Sequence, residues 1–197
     1  MNMTEESLIA DFAEMLITTR RSILPKRLFE PGPNDEELEL IFSAAASAPD
    51  HGLIRPWRFV ICKNTSRELL ADAFSESLLA RDNLATPQQI NDAKSKANRA
   101  PFLMLVVINT RGLDPKIPLG ERYVSAGCAV QNVLLMAHSL GYGSSPTSGQ
   151  SMYTDPIRKL FKLTNEEDPL CFISIGTPDR QKPSHPRMVS KDFVSAI

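Results

Sequence analysis

One stretch constrains the fold of this chain more than any other: residues 102–109, in which seven apolar residues in a row precede an asparagine. The stretch is rich in leucine and valine. It is too short for most buried helices, but it suits a strand that is covered on both faces. We therefore predict that residues 102–109 form the central strand of a sheet that is covered by helices.

Helical spacing of apolar residues predicts several helices around this strand. Asn34, with Glu37 three residues later, is a capping-box-like start for one of them. The predicted helices span residues 4–19, 34–45, 66–81, 87–97, 121–140 and 155–162, the further strands span 58–62 and 170–176, and 25–33 is a connector. Because residues 87–97 contain few apolar side chains, we expect that helix to be an exposed, mobile flap.

The chain has 197 residues, of which 42% are hydrophobic, and this is enough for one substantial core. We predict a single domain over residues 1–197. The formal charge of −1 provides no general field for a nucleic acid or an anionic membrane. We therefore expect neither of these partners, and an anion would have to be held by a local cluster of arginines or lysines.

The three cysteines each lie in an apolar run, without CxxC spacing and without a nearby histidine. This pattern indicates small buried side chains in a reducing compartment and argues against disulfides or a metal site. The acidic start of the chain is not typical of a signal peptide, and polar residues interrupt its longest apolar segment. These features predict a soluble, cytoplasmic protein.

The predicted helix 121–140 is apolar on almost all of its faces. Such a helix needs to be covered on every side, which is difficult in one small domain. Either a partner subunit covers it, with Leu134 as an example of an interface residue, or it is the central core helix of the domain.

Three polar or small-residue segments could bind a ligand. Arg20-Arg21-Ser22, after the first helix, could clamp a phosphate, or its arginines could be solvated and complement the helix dipole. The loop 48–57 carries Asp50, His51 and Arg55 between a helix and a strand, and it is either a rigid ligand-facing loop or a proline-rich connector. Residues 141–149 allow a flat or anionic ligand to approach the backbone closely, although turn chemistry also explains them.

The motifs of common hydrolases and nucleotide-binding folds are absent: there is no GxSxG, HExxH, GxGxxG or GxxxxGK[ST]. A set of cationic and hydroxyl groups remains, together with the two loops. This combination suits a phosphorylated cofactor whose own atoms perform the reaction, since the protein then mainly binds and orients it. We accordingly assign no catalytic side chain.

Five short motifs resemble the nitroreductase family of FMN-dependent, homodimeric oxidoreductases, and in particular its small, single-domain branch. They are Arg20-Arg21-Ser22, Ala48-Pro49 through Pro56-Trp57, Leu140-Gly141-Tyr142-Gly143, Gly176-Thr177-Pro178 and Arg187. Each motif is weak alone, but five of them in order over most of the chain are fairly specific. The resemblance implies an α+β fold with a mixed, mainly antiparallel sheet flanked by helices, working as an intertwined homodimer.

The same resemblance implies roles for individual residues. Arg20, Ser22 and Arg187 would hold the FMN phosphate and ribityl chain, with Arg21 near the phosphate or the pyrimidine edge. Pro49, Asp50 and His51 would reach the cofactor from the other subunit. The remaining implied cofactor-binding residues are Arg55 and the segment Pro146, Thr147, Ser148 and Gly149, in which the backbone N–H of Ser148 or Gly149 would face flavin N5.

Two of these positions depart from the family pattern. Arg55 stands where glutamine is usual, and Pro146-Thr147-Ser148 replaces the usual versions of the loop at flavin N5. The implied activity is ping-pong transfer of hydride from NADH or NADPH through FMN to a small electron-poor acceptor such as a nitroaromatic or a quinone. The alternatives are a flavin-binding or storage protein without turnover, or a flavin-dependent dehydrogenase of the same superfold.

Overall fold

The computed structural model describes residues 5–180, 183 and 186–197. Its five strands are β1 (Leu28–Phe29), β2 (Trp57–Ile61), β3 (Phe102–Asn109), β4 (Gly143–Thr147) and β5 (Glu167–Pro178). The strand order is β1-β5-β3-β2, and β4 also pairs with β5. All of these pairs are antiparallel, and an isolated parallel bridge joins Ser22 to Ser144.

Six helices flank this sheet. They are α1 (Glu5–Thr19), α2 (Asp35–Ala46), α3 (Arg67–Leu79), α4 (Pro87–Ser95), α5 (Leu119–Ser139) and α6 (Asp155–Leu160). Single turns of 3-10 helix lie at Pro25–Arg27, His51–Leu53, Asn64–Ser66, Lys96–Asn98, Gln150–Tyr153 and Ser190–Asp192. The predicted α+β class with a mainly antiparallel sheet is confirmed.

The predicted central strand is confirmed with the same bounds, and its side chains alternate between two cores. Met104 and Val106 face a core that includes α2 and α5. Leu105 and Val107 face a second core that includes α3 and α6. Since successive side chains of a strand point to opposite faces of the sheet, an apolar run without polar interruptions covers both faces.

The capping signal at the start of α2 also forms as predicted. The Asn34 side chain accepts a hydrogen bond from the Glu37 backbone N–H at 2.9 Å, and the Glu37 carboxylate accepts one from the Asn34 N–H at 2.9 Å. This arrangement fixes the start of the helix that leads into the loop 48–57.

Several predicted elements need correction. Residues 87–97 do not form a free flap: Ala93 and Ala97 are buried, and Lys94 Nζ donates a hydrogen bond to Asp72 of α3. Residues 143–147, which we expected to be a loop, form strand β4. They do so because β5 provides partners for their backbone, although their side chains are not typical of a strand. Leu134 is only 5% exposed and belongs to the core of its own protomer, so it is not an interface residue.

Helix α1 forms as predicted, except that Thr4, where we expected it to begin, lies outside the described residues. None of its residues is buried, and Ile9, Phe12 and Ile17 each expose more than half of their surface. Its apolar face is therefore uncovered in the single protomer. Among the described residues, no helix combines the length and the apolar composition that crossing a bilayer requires.

Candidate functional site

The candidate site is built around three arginines. Arg20 and Arg21 follow the end of α1, and Arg187 comes from the C-terminal segment, where its Nη2 donates to the Arg20 carbonyl at 3.5 Å. Arg20 Nε and Nη1 and Arg21 Nε are buried and have no hydrogen-bond partner among the described residues. The pKa of Arg20 is lowered, first by burial and then by the charges of Arg187 and Arg21.

Unpaired buried guanidinium atoms are costly, because a charged donor loses water without gaining an acceptor. None of the ion pairs formed by the described residues involves these arginines. A bound anion would restore the missing hydrogen bonds and relieve the repulsion among the three cations. The arrangement of Arg20, Arg21 and Arg187 therefore fits a phosphate group.

His138 also lies at this cluster, although no sequence motif pointed to it. It lies in the last turn of α5, and its Nε2 is 2.9 Å from Thr19 Oγ1 at the end of α1. Its pKa is lowered by burial, then by Arg20 and Arg21. The two residues are 119 positions apart in the chain, so only the packing of α1 against α5 brings them together.

Backbone contacts connect the arginine segment to β4. The Ile23 N–H donates to the Ser144 carbonyl at 3.0 Å, next to the bridge between Ser22 and Ser144. Strand β4 then runs from Ser144 towards Ser148, a distance of about 13 Å for four extended residues. Strand β4 thus connects the segment that carries the arginines, at Ser144, to the residues at its own end.

At the end of β4, a cavity of about 290 Å³ opens in the protein surface. Three of the predicted residues, Thr147, Ser148 and Gly149, line this cavity, whereas Pro146 lies within β4 opposite Ile173 and does not. The other residues that line it are Leu24, Pro25, Phe74, Lys96, Arg99, Leu103, Ser151, Met152, Phe172 and Ser174.

Two cations of this cavity, Lys96 and Arg99, were missed by the sequence reasoning. The pKa of Lys96 is lowered mainly by burial, and the charges of Arg99 and Arg81 lower it further. Among the described residues, no acidic side chain lines the cavity. The cavity is therefore lined by both apolar and cationic side chains. The polar sequence of residues 87–97 has too little periodicity to predict that Lys96 and Arg99 reach a cavity.

The loop 48–57 is fixed by contacts with α5. The Asp50 carboxylate accepts hydrogen bonds from the Arg55 backbone N–H at 2.6 Å and from Ser125 Oγ at 3.5 Å. The Trp57 indole donates to the same Ser125 hydroxyl at 3.3 Å, and His51 pairs with Glu121. The structure thus supports a rigid loop, since Asp50 also holds Arg55 in a left-handed backbone conformation with φ of 48°.

Within one protomer, the predicted site residues fall into two separate groups. The loop with Pro49, Asp50, His51 and Arg55 packs near Ser125, whereas the arginine cluster lies near His138. These two positions on α5 are 13 residues apart, or about 20 Å along the helix axis. The protomer alone does not bring the two groups together.

The cysteines do not contribute to either group. Cys62 and Cys171 are buried as expected, whereas Cys128 is only half-buried. Burial raises the pKa of Cys62 to about 11 and that of Cys171 to about 12. Thiols in this state are poor nucleophiles at neutral pH. The part of the chain that the structure describes also contains no group of three or more His, Cys, Asp or Glu side chains that could hold a metal ion.

Comparison with known proteins gives a consistent pattern. The sequence profile of the nitroreductase family matches residues 17–177. A Haemophilus influenzae protein named "Putative NAD(P)H nitroreductase" is 32% identical over 92% of this chain and 97% of its own length. The Escherichia coli K12 protein of the same description, YdjA, is 30% identical over 85% of this chain and 88% of its own.

Solved structures show the same fold. The nitroreductase-like family protein from Bacillus cereus has a TM-score of 0.79 with 22% identity and covers 100% of this chain and 99% of its own. The FMN and NADPH-dependent nitroreductase NfnB from sphigopyxis sp. strain HMH has a TM-score of 0.71 with 17% identity, covering 94% of this chain and 98% of its own.

Proposed function

The chain belongs to the nitroreductase family, and we propose that it is an FMN-dependent oxidoreductase with NADH or NADPH as electron donor. Relatives are named as NAD(P)H nitroreductases, and a neighbour of the same fold is described as FMN and NADPH-dependent. When bound, FMN would accept hydride from the nicotinamide and pass electrons to an electron-poor acceptor, such as a nitroaromatic or a quinone, in ping-pong order.

The observation that carries this proposal is the set of buried, unpaired guanidinium atoms on Arg20 and Arg21. A phosphate monoester provides several strong acceptor oxygens and up to two negative charges, which match these donors and the nearby Arg187. We assign Arg20, Arg21 and Arg187 to the FMN phosphate. Ser22, which precedes the contact of Ile23 with β4, would bind the phosphate or the ribityl chain.

The end of β4 would then orient the flavin ring. The backbone N–H groups of Ser148 and Gly149 donate no hydrogen bond within the described part of the chain. A Cβ atom added at Gly149 would meet nothing within 4 Å, so there is room for a flat ligand beside this backbone. One of these two N–H groups is our candidate for the hydrogen bond to flavin N5.

The roles of Pro49, Asp50, His51 and Arg55 require a second protomer. Because these residues lie about 20 Å along α5 from the arginine cluster, they would reach the cofactor held by a partner in a homodimer. The exposed apolar faces of α1 and of the first half of α5, including Phe12 and Val124, provide surface for that association. Each site would thus be built from both chains.

The absorption spectrum of the purified protein, with anaerobic addition of NADH or NADPH, tests this proposal. We expect a yellow protein with bound FMN, whose flavin absorbance falls when the nicotinamide is added and recovers when a nitroaromatic or a quinone follows. Flavin that binds but stays oxidised with both donors would instead support a binding or storage protein. A protein that retains no FMN, even after reconstitution, would contradict the cofactor assignment.

A further inference from the structure

His138 has a defined protonation pattern, which follows from its contact with Thr19. Thr19 Oγ1 lies 2.6 Å from the Met15 carbonyl and donates its only proton there. The same oxygen is 2.9 Å from His138 Nε2, and it has no further proton to give. Nε2 must therefore be the donor, so neutral His138 carries its proton on Nε2, and a second proton would bind at Nδ1.

Among the described residues, the charges that lower the pKa of His138 are those of arginines. Arg20 and Arg21 act on it from the segment after α1, and Arg180, which follows β5, lines the same cavity of about 610 Å³. The carboxyl end of a helix normally favours a protonated histidine. Here the pKa of His138 is nevertheless lowered, by burial and by the two arginines. Without an anion, the cluster thus favours neutral His138.

A bound phosphate would weaken this effect. Its negative charge, placed among Arg20, Arg21 and Arg187, offsets the positive field that keeps the imidazole neutral. Protonation of His138 and binding of the anion are linked. An anion that favours the protonated histidine is itself bound more tightly when the histidine is protonated.

We propose that His138 is a proton-accepting member of the phosphate site, which takes up a proton from solvent at Nδ1 when a phosphate group binds to Arg20, Arg21 and Arg187. The resulting imidazolium becomes a further cation of the site. His138 also positions the site, since its Nε2–H holds Thr19, the residue immediately before Arg20. This inference rests on the proposed function, because FMN is the ligand that supplies the phosphate.

NMR titration of the histidine ring protons gives a direct test. The chain contains three histidines, and the signal that is missing in His138→Gln identifies His138. We expect its pKa to rise when FMN binds and to rise with inorganic phosphate alone. Riboflavin, which has the ring but lacks the phosphate, should leave the His138 pKa unchanged. A pKa that stays constant or falls with FMN bound would overturn the inference.

FMN affinity measured by fluorescence titration between pH 5.5 and 8.5 provides the second readout. The ratio of wild-type to His138→Gln affinity removes the contribution of the phosphate's own ionisation, which both proteins share. If the His138 pKa rises by about one unit, this ratio should be about tenfold larger below both pKa values than above both. The excess is lost as the pH rises through the raised pKa of the complex.

The outcomes separate the two proposals. If neither protein binds FMN at any pH, the proposed function itself is wrong. If both bind FMN and their affinities run parallel over the whole pH range, the function stands and the role of His138 is overturned. Glutamine retains an N–H that can donate to Thr19, so the variant removes the titration while it preserves the local hydrogen bond.

Discussion

At the scale of single residues, two arginines of this chain illustrate how hydrogen-bond accounting separates structural from ligand-binding roles. Arg122 is 3% exposed, and its guanidinium donates to the carbonyls of Ile117, Gly112 and Asp114 and to the side chain of Asn109. Arg20 is half-buried and leaves Nε and Nη1 without partners. The fold satisfies the first residue, whereas the second leaves two donors that a bound anion would satisfy under the proposed function.

Replacing Arg20 with alanine should weaken FMN binding without unfolding the protein. A hydrogen bond to a charged group contributes roughly 1.5–3 kcal/mol, which corresponds to about 10–150-fold in the dissociation constant measured by fluorescence titration. Arg20→Lys should recover only part of the loss, because lysine lacks the planar fork. Arg111→Ala removes an exposed arginine elsewhere and serves as the control. Equal affinities for wild type and Arg20→Ala would show that Arg20 does not hold the phosphate.

A second residue-scale prediction concerns the pair His51 and Glu121, which ties the loop 48–57 to α5. The hydrogen bond to Glu121 and its charge raise the pKa of His51 above its usual value. The pair's extra stability should therefore be fully present below the unfolded pKa of about 6.5 and be lost as the pH rises through the raised folded value.

Denaturant unfolding of wild type and Glu121→Gln from pH 5 to 9 measures this effect. The stability advantage of the wild type should be largest at the acidic end and should shrink towards pH 9. The control is the same comparison without the histidine, between His51→Gln and the double variant His51→Gln/Glu121→Gln. Because glutamine does not titrate, the difference in stability between these two proteins should show no such trend with pH. An advantage that is independent of pH would mean that the protonated histidine does not hold the loop.

At the scale of elements, Arg122 organises the connection between β3 and α5. From the first turns of the helix it satisfies the carbonyls of residues 112, 114 and 117, none of which lies within a helix or strand. Arg122→Met keeps the apolar stem but leaves these acceptors unpaired. We expect a loss of roughly 2–4 kcal/mol in the free energy of unfolding, measured with denaturant.

The matched control for this variant is Arg111→Met. Arg111 is exposed and donates a single hydrogen bond, to the Asn165 carbonyl at 3.2 Å. Its replacement should change the free energy of unfolding by no more than about 0.5 kcal/mol. Similar losses in both variants would show that burial and multiple hydrogen bonds do not distinguish Arg122.

Elements with a strong local signal were predictable from the sequence. The apolar run of β3 and the capping pair Asn34 and Glu37 contain their own structural information, and both appear at the expected positions. Strand β4 was missed because Gly143–Thr147 contains only one β-branched residue, Thr147, and no aromatic residue. It exists because β5 is long enough to pair with it. Leu28–Phe29 was missed for a different reason, because two residues are too few to show a periodic pattern.

The candidate site was predictable only where its residues are adjacent in sequence. Arg20, Arg21 and Ser22 form a local motif. The structure adds that guanidinium atoms of the two arginines are buried without a hydrogen-bond acceptor among the described residues. His138 and Lys96 reach the two parts of the site from α5 and from the turn after α4. Nothing in the local sequence marks such long-range contacts, because they depend on how the helices pack.

At the scale of the whole molecule, α5 connects the two halves of the site. The loop 48–57 contacts its first half and the arginine cluster its last turn. A rigid helix cannot shorten the separation of about 20 Å along its axis, so the protomer holds the loop 48–57 apart from the arginine cluster. Under the proposed function, two antiparallel copies of α5 would place the first half of one helix beside the last turn of the other, and the site would need the dimer.

Val124→Arg tests this requirement better than a substitution at Leu134, which would place a charge in the core. Val124 is 65% exposed on the first half of α5, so the single protomer should accept an arginine there. In a dimer interface, the same arginine would lose water without gaining a partner. We expect size-exclusion chromatography, with detection at protein and flavin wavelengths, to show a folded monomer that has lost its FMN.

The control is Leu69→Arg, on α3 at the opposite face of the sheet, where Leu69 is 59% exposed. This variant should remain dimeric and yellow, because the face on α3 lies away from α5. If Val124→Arg gives a monomer that retains stoichiometric FMN, the site lies within one chain, and the loop 48–57 has no part in binding the cofactor. If instead Val124→Arg leaves the dimer intact, two copies associate through a surface other than the first half of α5, and the exposed apolar face of α1 becomes the next region to substitute.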